Sequence, residues 1–258
     1  MFSKTIFKQT MKQNWKLWAI FTALTTLMSA AMIGSFNPEI IMQAIEAGLV
    51  EEGVVSLSLV GTLATGFYGM MGVLLPLVFV VMTGNSLVAT QVDKGSMAYT
   101  LSTPITRTKV VCTQALYLIM ALVLMFGILT ATGLATITSA HSSYDLDVIA
   151  YLNLNLGIFL LMFALSSISF LFSCVFNLTK FSLALGAGIP MAFLIIQIMS
   201  GANEDFESLR YLSLNTMYDP SAIISGGTFV PQFIILGVLG VVLYLLGITA
   251  FKRKDLPL

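Results

Sequence analysis

The sequence predicts an all-α membrane protein with six transmembrane helices and both termini on the cytoplasmic side. Three observations point there. Hydrophobic residues make up 57% of the chain and charged residues 9%, whereas soluble domains carry ~25% charged residues. Apolar runs free of charge recur along the chain, each holding the ~20 residues a helix needs to cross a ~30 Å hydrocarbon core. The basic residues gather in alternate connections between those runs. Nothing is left over for a sizeable soluble domain, so residues 1–258 read as one membrane domain.

The N-terminal segment, residues 1–16, repeats lysine at Lys4, Lys8, Lys12 and Lys16, with Phe7, Met11, Trp15 and Trp18 on one helical strip. That pattern predicts a short amphipathic helix at the membrane surface, lysines toward anionic headgroups and tryptophans at the boundary. The plainer alternative is a basic flank running straight into the first span. The first apolar run is Leu17–Pro38, longer than the ~7–15 residues of a signal-peptide core, which argues against cleavage despite Ser29-Ala30-Ala31. Asn37-Pro38-Glu39 then reads as an N-cap, a proline in the first turn and an acid beside it, predicting a small outer helix over Pro38–Ala47.

The second span is expected at Leu59–Thr83, where Gly66, Gly69 and Gly72 invite a close helix approach. The third is expected at Val110–Leu134, the fourth at Tyr151–Phe176, the fifth at Phe181–Asn203 and the sixth at Val230–Phe251. Gly186-Ala187-Gly188-Ile189-Pro190 predicts a bend in span five. The outer segment 200–229 has room for one or two small helices ending at Gly226-Gly227.

With the N-terminus inside, the inner segments hold 11 of the 12 basic residues, all but Arg210, and the outer ones hold 10 of the 12 acids. Basic residues orient a membrane chain, and acids contribute little. An odd number of spans would put Lys252, Arg253 and Lys254 outside, so the count is even.

The chemistry the chain lacks narrows its function. There is no GxxxxGK[ST] loop to cradle a nucleotide. A single histidine, His141, falls in an outer loop, and Cys112 and Cys174 sit in apolar runs without metal-ligand spacing. No cofactor is expected, and no nucleic acid. The Asn177-Leu178-Thr179 sequon falls on the inner side and is set aside. The spans as drawn contain no Asp, Glu, Lys, Arg or His, which argues against an ion-driven carrier. Ser166, Ser167, Ser169 and Gln197 remain as intramembrane polar groups, either lining a path or joining helices.

The informative inner loop is 84–109. Gly95 can stop the helix leaving span two in a left-handed turn. Ser96 can cap a short helix through Leu101. Thr103 can cap the next helix with Pro104 in its first turn. The order Asp93-Lys94-Gly95-Ser96, then Leu101, Pro104-Ile105-Thr106-Arg107, resembles the first inner loop of the transmembrane subunits of type-2 export ABC transporters, with an ABCG-like six-helix membrane domain. Asp93 stands where Glu is commoner in that family and Thr106 where Ser is.

The resemblance implies a permease subunit of an ATP-driven exporter. Two six-helix chains, identical or related, would pair in the membrane and bind two copies of a separate ABC ATPase. The loop helix would dock on the ATPase, so Asp93, Lys94, Gly95, Ser96, Leu101, Pro104 and Arg107 would be its coupling residues. A multi-pass protein of a bacterial plasma membrane is the expected setting, with membrane lipid as a further partner. A path without fixed charge suits an amphipathic cargo such as a peptide, an antibiotic or a lipid-like molecule. The alternative is a carrier or channel working without an ATPase. A membrane-embedded enzyme or insertion factor would want intramembrane ionisable groups, and the spans offer none.

Overall fold

The structure is a computed structural model that describes residues 2–46, 58–102, 104–140, 147–202, 208–209 and 211–254. Among these residues every regular element is helical. Six helical spans are long and apolar enough to cross a membrane: Lys4–Gly34, Leu59–Asp93, Arg107–Ser139, Val148–Val175, Thr179–Ser200 and Val230–Arg253.

Helix α1, Lys4–Gly34, runs unbroken. No glycine or proline interrupts it before Gly34, so the basic leader and the first apolar run form one helix. Helix α2, Pro38–Glu46, follows, and the Asn37 side chain accepts the Glu39 amide at 3.0 Å. The expected end of that helix at Ala47 lies outside the described residues, as does His141.

Span two is assembled from pieces. Helix α3, Leu59–Gly66, is capped by Ser58, which accepts the Gly61 amide. A π-turn over Phe67–Met71 leads into helix α4, Gly72–Leu87, which contains Pro76. The Gly72 amide reaches back to Phe67 O, the i−5 bond of a π-turn. A Cβ on Gly66 would strike the Met32 side chain, and one on Gly72 would sit 3.2 Å from Ile158. Gly69 has only ordinary contact, 3.6 Å from its own helix. Two of the three glycines therefore carry the expected close approach.

The loop then holds two short helices, α5 Ala89–Asp93 and α6 Ser96–Leu101. Helix α7 spans Arg107–Ala140 and helix α8 Val148–Val175, the latter capped by Asp147 on the Ala150 amide. Span five breaks at Ala187 into α9, Thr179–Gly186, and α10, Gly188–Ala202, where the glycine–proline cluster predicts a bend. A 3₁₀ turn at Leu214–Met217 and helix α11, Pro220–Ile224, precede helix α12, Val230–Arg253. Gly226, at φ 72, ends the small helices as expected.

Helix α8 is the central post. Like span two it is mostly buried, whereas α1, span five and α12 are mostly exposed. It packs against α12, α4, α9 and α7. Glycines let α12 approach it: Gly240 faces the Phe163 ring, and a Cβ on Gly247 would lie 3.3 Å from the Leu171 backbone. The serines of α8 join helices. Ser166 shares a hydrogen bond with Tyr244 at 2.7 Å, and Ser169 donates to Gly186 O. Ser167 bonds back to Ala164 O within its own helix. Gln197 accepts the Asn215 amide at 2.8 Å. Cys112 and Cys174 are free thiols.

The helices alternate in direction, as the hydrogen bonds between their ends show. Ser3, Asp93, Arg107, Thr179 and Lys254 meet partners at one end of the bundle. The other end holds Glu39, Asp147 and Asp219. There the segment before α12 is pinned down: Ser213 donates to Phe193 O, and Tyr218 to Leu154 O.

Candidate functional site

The basic end of the bundle gathers the residues of the loop motif. Its frame starts where α4 gives way to α5. Val88 leaves helical geometry at φ −125, ψ −64, and the Ser173 hydroxyl of α8 fills the gap. It accepts the Ala89 amide at 2.9 Å and donates to Asn85 O at 3.3 Å. A side chain of the central post thus replaces the interrupted backbone bond of span two.

Gly95 then turns the chain at φ 71, a left-handed conformation that β-carbon sterics discourage in other residues. Gly95 itself stands at the N-cap position of α6. Ser96, expected as the cap, is the first residue of the helix, and its hydroxyl turns back to Gln91 O at 3.2 Å. Met97 is buried and Tyr99 is 82% exposed, so α6 lies across the basic end with one anchored face and one open face. Leu101 and Ile105 pack against the core and hold the far end down. Pro104 lies ahead of α7, which begins at Arg107 rather than at the proline. Thr106 starts that helix: its carbonyl accepts the Lys109 and Val110 amides. Thr103 lies outside the described residues.

The two corners flanking α6 are tied to different helices. At the first, Asp93 Oδ2 accepts the Thr179 amide at 3.1 Å. Thr179 opens α9, so the carboxylate satisfies one of the amides a helix start leaves unpaired, at the positive end of the dipole. The Thr179 hydroxyl and amide, with Lys180 and Lys94 nearby, hold the Asp93 carboxyl below its ordinary pKa. A groove of about 840 Å³ opens beside this corner, lined by Asp93, Lys180, Leu183 and Met191 among others.

At the second corner, Arg107 Nη1 donates to Lys254 O at 2.9 Å. The Lys254 ammonium in turn donates to Cys174 O at 3.1 Å and Phe176 O at 2.7 Å. These carbonyls finish α8, where a cation complements the helix dipole. Burial draws the Lys254 pKa down to about 8. Asp93 and Arg107, opposite charges on the two sides of α6, thus reach across to separate partners instead of pairing with each other. Lys94 stays exposed.

The loop motif in the sequence does not reveal Thr179, Ser173 or Lys254, which lie far along the chain. It does not single out Tyr99 either, although an aromatic residue midway along a six-residue amphipathic helix is a readable signal.

Hydrogen bonds at its two corners link α6 to span five through Thr179 and, through Lys254, to the ends of spans six and four. A family model described as ABC-2 family transporter protein matches residues 7–256. No curated protein matches the chain.

Proposed function

Because the chain belongs to the ABC-2 family of transporter proteins, we propose that it is the permease subunit of an ATP-driven exporter whose ATP hydrolysis resides in a separate ATPase. The chain is the multi-pass transmembrane component of an ABC transporter, a component not itself catalytic. The observation that carries the finer reading is the clasping of α6 at both corners, through Asp93 to Thr179 and through Arg107 to Lys254.

In this reading the basic end faces the cytoplasm of a bacterial cell and α6 is the coupling helix. Tyr99 and the exposed face of α6 meet the ATPase. Two chains pair, each seating one ATPase, and nucleotide-driven closure of the ATPases shifts the pair between inward- and outward-facing states. Asp93, Lys94, Gly95, Ser96, Leu101, Pro104 and Arg107 set the position of α6. The cargo is amphipathic, a peptide, antibiotic or lipid-like molecule, in keeping with spans that hold hydroxyls and amides in place of fixed charge.

The test is reconstitution with the cognate ATPase in proteoliposomes. Cargo-stimulated hydrolysis should require both chains and fall when Tyr99 is changed to Ala. Transport by this chain alone, without ATPase or ATP, would overturn the reading in favour of a carrier or channel.

A further inference from the structure

Trp15 and Trp18 are the chain's 2 tryptophans, and both line one groove. It lies between α1 and α7, measures about 290 Å³, and is walled by Phe7, Met11, Trp15 and Trp18 on one side and Met120 and Leu124 on the other. The walls are fixed in place. Phe7 meets Tyr117 edge-on with ring centroids 5.9 Å apart, and Trp18 Nε1 donates to Ala121 O at 2.9 Å. Met11 and Trp15 nevertheless remain 46% and 52% exposed.

Lys4, Lys8 and Lys12 each precede a groove residue by three positions: Phe7, Met11 and Trp15. Residues three apart are neighbours on a helix surface, so the lysine row runs directly beside the apolar row. All these lysines are exposed. Neither α1 nor α7 contains an aspartate or glutamate, so neither helix supplies a carboxylate to neutralise them.

Helix α1 runs beside α7 from its start, with the Ser3 amide on Thr113 Oγ1, Phe7 on Tyr117 and Trp18 on Ala121, so the lysine row occupies its first turns at the basic end of the bundle.

We propose that the groove is a binding site for an anionic phospholipid. Its acyl chain lies against Met11, Trp15, Met120 and Leu124, and its phosphate group sits on Lys4, Lys8 and Lys12. The charge complementarity selects the occupant: an apolar trough bordered by cations with no acidic partner among the described residues fits a molecule with an apolar chain and a negative head. The site stands apart from the transport reading and does not depend on it.

The tryptophans report on this groove alone, which makes the test direct. The full chain is reconstituted in vesicles of phosphatidylcholine and phosphatidylglycerol, with one or the other lipid brominated on its acyl chains, and tryptophan emission is followed. Brominated phosphatidylglycerol should quench at a several-fold lower mole fraction than brominated phosphatidylcholine, and salt should reduce the difference. Changing Lys4, Lys8 and Lys12 together to Gln should cut the preference by about fivefold or more. The matching change to Arg should retain it. Equal quenching by both lipids would overturn the proposal, as would an unchanged preference in the Gln variant. Quenching by neither would show the groove covered by a second chain, and would overturn it too.

Discussion

Gly95 turns the chain with nothing within 4 Å of where a Cβ would stand, so any cost of substitution there is backbone strain and not a clash. Gly95→Val should strain the corner by ~1–3 kcal/mol, while Gly95→Asn, tolerant of a left-handed turn, should be far milder. In the assembled transporter, cargo-stimulated ATP hydrolysis should drop several-fold for Val and stay near normal for Asn. Arg107 makes the stronger demand. Its charged hydrogen bond to Lys254 O, in a partly buried position, is of the kind that contributes ~1.5–3 kcal/mol, a tenfold or greater change in the clasped population. Arg107→Ala should leave the chain in the membrane yet lower stimulated hydrolysis by about tenfold. Substitutions at Ser142 or Ser143 should do little at matched expression. Asp93→Asn keeps an acceptor for the Thr179 amide and should retain more activity than Asp93→Ala. The charges at these corners are legible in the local motif. Their partners are not, because Thr179 lies 86 residues from Asp93 and Lys254 lies 147 from Arg107, beyond anything local spacing encodes.

Span five offers a controlled comparison between two glycines either side of its break. A Cβ on Gly186 would sit 3.3 Å from the Cα and carbonyl of Ser169, backbone that cannot yield cheaply, while Gly188 has nothing within 4 Å. Gly186→Ala should therefore lift α9 off α8 and cost ~1–3 kcal/mol. Gly188→Ala should be neutral, or stabilising by up to ~1 kcal/mol. Thermal unfolding of the purified variants in detergent checks both, and equal loss in the two would remove the packing argument. The break itself is readable from Gly186 to Pro190, because the residues that interrupt a helix are local. The role of the α8 serines is not: a hydroxyl in an apolar run looks the same whether it lines a path or meets Tyr244 on another helix. The π-turn at Phe67–Met71 was equally hidden, since no residue type demands it.

For the whole molecule, charge carries the orientation. The ties at the basic end fix which helix ends lie together, and the lysine and arginine excess there predicts that this end faces inward. Cysteines introduced at Ser3 and Ser208, in a chain with Cys112 and Cys174 replaced, should label from opposite sides with an impermeant reagent. Labelling of both from one side would refute the topology. The purified chain should hydrolyse no ATP, and hydrolysis should appear on adding its ATPase. Robust hydrolysis by the chain alone would contradict the division of labour. Six spans and their alternation are legible because lipid punishes charge so evenly along every crossing. A surface for the proposed second chain is not legible, because lipid and a partner helix ask for the same residues.

The hydroxyls of α8 also bear on the order in which the chain is made. Ser166 meets Tyr244, 78 residues downstream, yet it also donates to Phe163 O one turn behind it. Ser167 is satisfied by Ala164 O in the same way, and Ser173 by Asn85 of an earlier span. When α8 leaves the ribosome and enters the bilayer, α12 has not yet been synthesised. A bond within α8, or to a span already made, lets these serines wait in lipid without an unpaired donor. Ser169 is the exception, for its acceptor Gly186 lies in the very next helix to emerge. The central post can thus stand in the membrane before the last helix arrives to close around it.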